Sequence, residues 1–245
     1  MSQIKSLDGK GVLVTGASSG FGQAIAVQMA AAGATVALVG RNEARLEETA
    51  QTIHAAGGTA HSYVADLAHE AQIVDTVARA VQALGHIDLL VNNAGMNVTA
   101  RTIADTSLDQ WRQLLEVNLT AAFLFTKLLL PAMIERQSGT IINLASRATL
   151  RPNLIGGVAY STSKIGMDAL TQVTNEEANP HGVRACLLCP GAGNTPILDR
   201  RAAPPNEAQR AKMLQPDDVA AVALLVASMP AHVNIELISM LQTRF

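Results

Sequence analysis

Six short runs of β-branched and aliphatic residues recur along this chain with helical patterns between them, and that alternation limits the fold more than any other feature. The runs are GVLVT (11–15), TVALV (35–39), TAHSYV (59–64), IDLLVNN (87–93), GTIINLA (139–145) and VRACLLC (183–189). Between them lie stretches such as GQAIAVQMAAAG, apolar at i, i+3 and i+4, and NEARLEETAQTIHAAGG. Strand, helix and strand in succession demand parallel pairing through right-handed crossovers. The runs are almost continuously apolar, as strands become when helices cover both faces of their sheet. An α/β fold is therefore expected: one doubly wound parallel sheet, Rossmann-like, with helices on both faces. The 245 residues suit a single domain spanning 1–245, and a hydrophobic content of 49% supplies its core.

Charge excludes several partners. With 18 Lys and Arg against 20 Asp and Glu, and no basic block, the chain lacks the footprint of a nucleic-acid binder or a polybasic membrane anchor. The beginning MSQIKSLDGKG has no apolar leader core, and no apolar run approaches the roughly 20 residues of a spanning helix, so cytoplasmic residence is expected. Cys186 and Cys189 form a CxxC, but within a strand residues three apart point to opposite faces, so two buried structural thiols are expected instead of a redox pair. The six histidines fall into no zinc-ligand spacing, and no metal site is expected.

In a doubly wound sheet, ligands bind beyond the carboxyl ends of the strands, near the point where strand order reverses. After the first run comes TGASSGFG (15–22). Gly16 permits a tight turn, Gly20 lets backbone approach a phosphate, and Gly22 lets the helix pack close to the strand. A strand before and an amphipathic helix after make this turn a dinucleotide site. After the second run stand Gly40 and Arg41, with no acid to hold ribose hydroxyls; an arginine there accommodates a 2′-phosphate, which points to NADP. Tyr160 and Lys164, in YSTSK, are four apart on a helix and share a face, so both reach one ligand. A nearby ammonium favours the phenolate, and the pair makes a tunable acid and base. The long segment 194–216, NTPILDRRAAPPNEAQRAKMLQP, directly follows a strand end, where such loops are commonly functional.

TGASSGFG, NNAG (92–95), Asn118 in EVNLTAAF, Ser146 in INLAS, YSTSK and PG (190–191) occur in the order and spacing of the short-chain dehydrogenase/reductase family, which the chain resembles over nearly its whole length. The resemblance implies an NADPH-dependent reductase of ketones or aldehydes, reversible as an alcohol dehydrogenase. In that pattern Tyr160 exchanges the proton with the substrate oxygen, and Ser146 hydrogen-bonds the same oxygen. Lys164 also binds the nicotinamide ribose, and Asn118 kinks its helix and holds a water linking Lys164 to solvent. Gly16, Ser18, Ser19, Gly20, Phe21 and Gly22 would hold the cofactor with Arg41. Asp66 and Leu67 would meet its adenine and Asn93 and Gly95 its ribose, while Pro190, Gly191 and Thr195 complete the set. Residues 194–215 would close over substrate, and a homo-oligomer, dimer or tetramer, is implied through the apolar helices near 107–135 and 158–178.

Besides a C-terminal stretch, AHVNIELISMLQTRF, that lacks the TGQ…DGG pattern of many relatives, the chain departs from the family pattern at two places. Ser146 precedes Tyr160 by fourteen residues (160 − 146), not the commoner thirteen, which implies a bulged loop. Gly193 and Asn194 occupy the stretch before Thr195 where relatives commonly present a Val, which implies a roomier or more mobile roof over the pocket. Arg147 and Arg151 would favour an anionic substrate if they turn inward, although solvated arginines are the commoner state. Competing functions are a 3-hydroxy acid dehydrogenase, a 3-oxoacyl thioester reductase and, from another class, a dinucleotide-sensing regulator without catalysis.

Overall fold

The computed structural model describes residues 7–201 and 203–243. Ala202 of the expected 194–215 segment, the first six residues of the N-terminal stretch and the last two of the chain lie outside the described residues. Strands β1 (Gly11–Thr15), β2 (Thr35–Gly40) and β3 (Thr59–Val64) alternate with helices α1 (Gly20–Ala31), α2 (Glu43–Ala55) and α3 (Glu70–Leu84). Then come β4 (Leu89–Asn92), α4 (Leu108–Leu115), a π-helical turn (Glu116–Thr120), α5 (Ala121–Glu135) and β5 (Gly139–Leu144). The short α6 (Arg147–Leu150), α7 (Val158–Ala178), β6 (Val183–Pro190), α8 (Glu207–Arg210), α9 (Pro216–Ala227) and β7 (Leu237–Met240) complete the order.

Seven parallel strands pair in the order β3-β2-β1-β4-β5-β6-β7, so the chain reverses direction across the sheet between β1 and β4. Alternate residues of each strand feed two cores. Val12, Val14, Val36 and Leu38 face α1, α2 and α9 through Ile25, Met29, Leu46, Ile53 and Val219. Leu13, Ala37, Val39 and Leu90 face α3 and α5 through Ile73, Val77, Phe125 and Leu129. The six expected runs are strands in this sheet. The seventh, β7, was not expected: its four residues alternate between exposed and half-buried at the sheet edge, so it lacks the continuous apolar signature of the interior strands.

The expectation that no apolar run reaches spanning length needs correction. The continuous helical stretch Leu108–Glu135 is long and apolar enough by composition, with a mean hydropathy of 1.7 in its window. Half of that window is buried in the protein, where Leu114, Phe125, Leu129 and Met133 pack into the core, which accounts for its composition. The two thiols behave as expected of strand neighbours. Cys186 joins the core beneath α1 and α9, and Cys189 the cluster of Ala145 and Met167; both are buried and unpaired. Burial pushes the Cys186 thiol up to about 12, which leaves no thiolate for redox chemistry at neutral pH.

Candidate active site

The reversal between β1 and β4 is clamped by Thr15. Its hydroxyl donates to Val91 O at 3.3 Å and accepts from the amides of Asn93 and Ala94, each at 3.0 Å. The Asn93 side chain closes the clamp by donating to Thr15 O at 2.8 Å and Gly16 O at 3.2 Å. Gly16 has φ +68°, and a Cβ on Gly22 would lie 2.3 Å from both Asn93 Nδ2 and Gly16 O. The glycine turn thus needs glycine for conformation at one point and for close approach at another. Asn93 is consumed in holding this turn, while Gly95 faces the amine of Lys164, 3.4 Å from where a Cβ would stand.

A second anchor sits where α4 meets α5. Asn118 lies in the π-helical turn and is buried; its Oδ1 accepts from Met96 N at 2.8 Å, and its Nδ2 donates to Met96 O at 3.0 Å and Ser163 Oγ at 3.1 Å. One extra residue per turn moves this amide sideways, onto the loop that follows β4. Buried Lys164, on α7, donates to Leu144 O at 2.7 Å, and its Nζ lies 5.9 Å from the centre of the Tyr160 ring. Ser146, capping α6, hydrogen-bonds the Tyr160 phenol and accepts from Ala148 N at 3.2 Å.

Electrostatics at the pair differ from expectation. Burial raises the Tyr160 pKa above its ordinary value, outweighing the Ser146 hydrogen bond and the Arg101 and Arg201 charges that lower it. Lys164 is itself brought down to about 8 by burial, with the Cys189 thiol acting in the opposite sense. A lysine this desolvated gives up its proton more readily and depresses a neighbouring phenol less, so the cations favouring the phenolate are the two arginines.

One cleft of about 970 Å³ runs from the glycine turn to the end of β6. Gly16, Ser18, Ser19, Gly20, Phe21, Arg41, Asp66, Leu67, Asn93, Gly95, Ser146, Tyr160, Lys164, Pro190, Gly191 and Thr195 all line it. Gly22 and Asn118 stand behind the lining and shape it. Arg45, in the first turn of α2, lines the same end and was missed. Arg101 and Arg201, also missed, line the Tyr160 end from loops with no recognisable motif.

The two departures from the family pattern resolve differently. The longer Ser146–Tyr160 connection is a turn in which Asn153 Oδ1 accepts from Gly156 N at 3.1 Å, followed by Gly157 at φ +82°. Gly193 does not open the roof: a Cβ there would lie 2.1 Å from the tip of the Phe21 ring, so the glycine makes room for that ring. The base of the 194–215 segment is tied by a parallel bridge between Gly193 and Leu214 and by Asn194 N donating to Leu214 O at 2.8 Å. Arg151 is exposed and outside the cleft, and Arg147 lines it but donates to Ser239 Oγ at 3.2 Å. Nearness to Ser146 in sequence did not aim either of them at Tyr160.

A glycine turn at a strand reversal, in one cleft with Ser146, Tyr160 and Lys164, can hold a dinucleotide against a proton donor. The profile of the short chain dehydrogenase family matches residues 10–206. An uncharacterized oxidoreductase of Staphylococcus epidermidis is 33% identical over 235 residues, 96% of each chain. Among solved structures, a metagenomic short-chain oxidoreductase in complex with NADP superimposes with TM-score 0.84 at 33% identity, over 97% of this chain and 99% of that one. The 3-ketoacyl-(acyl-carrier-protein) reductase of Brucella melitensis complexed with NADH does so with TM-score 0.87 at 30% identity, over 96% and 98%. Fold, cleft and relatives agree, and the chain is a member of the short-chain dehydrogenase family.

Proposed function

We propose that the chain is an NADPH-dependent reductase of ketones or aldehydes, reversible as an alcohol dehydrogenase. The observation that carries the reading is that Ser146, Tyr160 and Lys164 share one cleft with the glycine turn. A dinucleotide fits the residues present. Ser19 makes no side-chain cap on α1, which leaves the first amides of that helix to a pyrophosphate. At the other end, Arg41 and Arg45, with no carboxylate among the lining residues that follow β2, suit a 2′-phosphate, and the NADP complex of the metagenomic relative supports this choice.

When bound, the nicotinamide supplies or accepts the hydride. The chain supplies the rest. Tyr160 passes its phenolic proton to the substrate oxygen, and Ser146, hydrogen-bonded to the phenol, holds that oxygen. Lys164, anchored on Leu144 O, keeps its other N–H groups for the ribose. Asn118 is a positioning residue: by gripping both backbone groups of Met96 it fixes the loop after β4 that presents Gly95. Residues 194–215 act as a lid that excludes water over the substrate. Phe123 and Leu128 of α5 and Ile165 and Val173 of α7 are exposed, which supports assembly into a dimer or tetramer through those helices. Two unpaired cysteines accord with cytoplasmic residence.

A second reading, reduction of a 3-oxoacyl thioester, is favoured by the likeness to the Brucella melitensis enzyme. The test is NADPH consumption across a panel of ketones, aldehydes and acyl thioesters. Tyr160→Phe is expected to lower turnover by about 100-fold or more. Full turnover in that variant would overturn the mechanism.

A further inference from the structure

We propose that the cleft takes a short oxo acid whose carboxylate is received by Arg101 and Arg201 beside the Tyr160 phenol, an inference that rests on the reductase reading. Arg101 belongs to the loop after β4 and Arg201 to the segment after β6, and both line the cleft with Tyr160. Arg101 is fixed in place. Its Nη1 donates to Gly156 O at 3.2 Å, its carbonyl accepts from Val158 N at 3.1 Å, and its Cδ would lie 2.9 Å from a Cβ on Gly157. Gly157 caps α7, so this guanidinium is bound to the start of the helix that carries Tyr160.

Arg201 differs from Arg210 in the same segment. Arg210 ion-pairs with Asp199, whereas no carboxylate among the described residues pairs with Arg201. The two guanidinium groups repel one another, and each favours the Tyr160 phenolate. A guanidinium such as Arg201, in a cleft and without a carboxylate partner among the described residues, gains from an anion that joins it. Among the described lining residues the one carboxylate is Asp66, which follows β3 at the opposite end.

The position of the charge narrows the substrate. Both arginines line the cleft with Tyr160, and Arg101 is held where the Tyr160 helix begins, so an anion they receive stands close to the reacting carbonyl, as in a 2- or 3-oxo acid. The phosphate of a carrier-bound thioester lies many bonds further away. Met96, Val117, Ile155 and Ile197 line the same end and suit a short apolar remainder. A guanidinium fork receives a carboxylate through two parallel hydrogen bonds, which an ester cannot accept in the same way.

The test compares acetoacetate with methyl acetoacetate, using the purified chain and NADPH. The acid is expected to exceed the ester in kcat/KM by about tenfold or more, the difference carried by charge-assisted hydrogen bonds. Arg201→Gln should lower the acid-to-ester ratio by about tenfold, chiefly through KM, and Arg201→Lys should recover part of it, since lysine keeps the charge without the fork. Arg101→Gln should act in the same direction, but it also releases the Gly156 carbonyl, so Arg201→Gln is the decisive variant. An ester turned over as well as the acid, or a ratio that Arg201→Gln does not move, overturns the proposal. If neither compound consumes NADPH, the panel of ketones, aldehydes and acyl thioesters decides the reductase reading, and calorimetric titration of acetoacetate decides the anion site separately. Binding weakened about tenfold in Arg201→Gln supports it, and absent or equal binding overturns it.

Discussion

The two ends of the cleft are built differently. At the β1–β4 reversal, main-chain groups are gripped by buried and half-buried side chains: Thr15 and Asn93 hold the glycine turn, Asn118 holds Met96, and Lys164 holds Leu144. Over the β6 end, the 194–215 segment is tied at its base by one bridge and then by partly exposed side chains, Asn194 to Gln215 and Arg210 to Asp199. The first end tolerates little change because the gripping partners are backbone, which cannot move without moving a strand. The second can change while the strands stay put. That division suits a cofactor end common to many reductases and a substrate end particular to one.

The same substitution at both ends gives the largest contrast. In Gly22→Ala the new Cβ meets Gly16 O and Asn93 Nδ2, each at 2.3 Å, and neither can yield without opening the Thr15 clamp. In Gly193→Ala it meets the far tip of the Phe21 ring, which a side-chain rotation withdraws. Gly22→Ala is expected to cost about 3 kcal/mol of stability and to weaken NADPH binding, and Gly193→Ala about 1 kcal/mol or less. Denaturant unfolding and cofactor titration of the two variants check this. Equal losses would erase the distinction between the two ends.

The rigid end was also the more legible one. Thr15, Gly16, Gly20, Gly22 and Asn93 lie in motifs whose spacing follows from backbone geometry, and the six interior runs are continuous because both faces are covered. The π-helical turn at Asn118 is different. Its residues, EVNLT, carry no breaker, and the extra residue per turn is held by the Met96 and Ser163 contacts, which form only in the folded chain. Arg101 and Arg201 were illegible for a related reason. Their direction depends on loops whose course is set by distant bonds such as Arg101 to Gly156 O, whereas Arg147, adjacent to Ser146, is drawn to Ser239 on β7, a strand whose pattern was too weak to read.

Lys164 gives the next contrast, through pH. Its pKa of about 8 lies below the ordinary 10.5 because burial penalises the ammonium. Between those values the unfolded chain binds the extra proton, so stability rises with pH through that window. Below about 8 the full penalty stands, of order 3 kcal/mol. Lys164→Met removes the penalty but leaves Leu144 O without its donor, a loss of about 1–3 kcal/mol. The variant is therefore expected to be about as stable as the parent at neutral pH, inactive as a reductase, and less stable than the parent once pH approaches 10. Thermal unfolding of both proteins from pH 7 to 10 measures the difference. A parent that loses ground to the variant on this rise would show that the lysine is stabilised as a cation in the fold.

The smallest effect belongs to the roof. Asn194 Nδ2 donates to Gln215 Oε1 at 3.0 Å, and Gln215 in turn donates to the carbonyls of Arg210 and Met213 at 3.1 and 2.9 Å, so this one side chain links the two feet of the segment. Asn194→Ala breaks the link, but the bridge between Gly193 and Leu214 and the backbone bond from Asn194 N remain. A partly buried neutral hydrogen bond contributes about 1 kcal/mol, and its loss is spent on the segment alone. The expected result is a stability change of about 1 kcal/mol or less, with KM for the carbonyl substrate moved more than the dissociation constant for NADPH. Gly22→Ala should do the reverse. If Asn194→Ala instead weakens NADPH binding as much as it raises KM, the roof and the glycine turn act as one unit, and the separation of a fixed cofactor end from an adjustable substrate end fails.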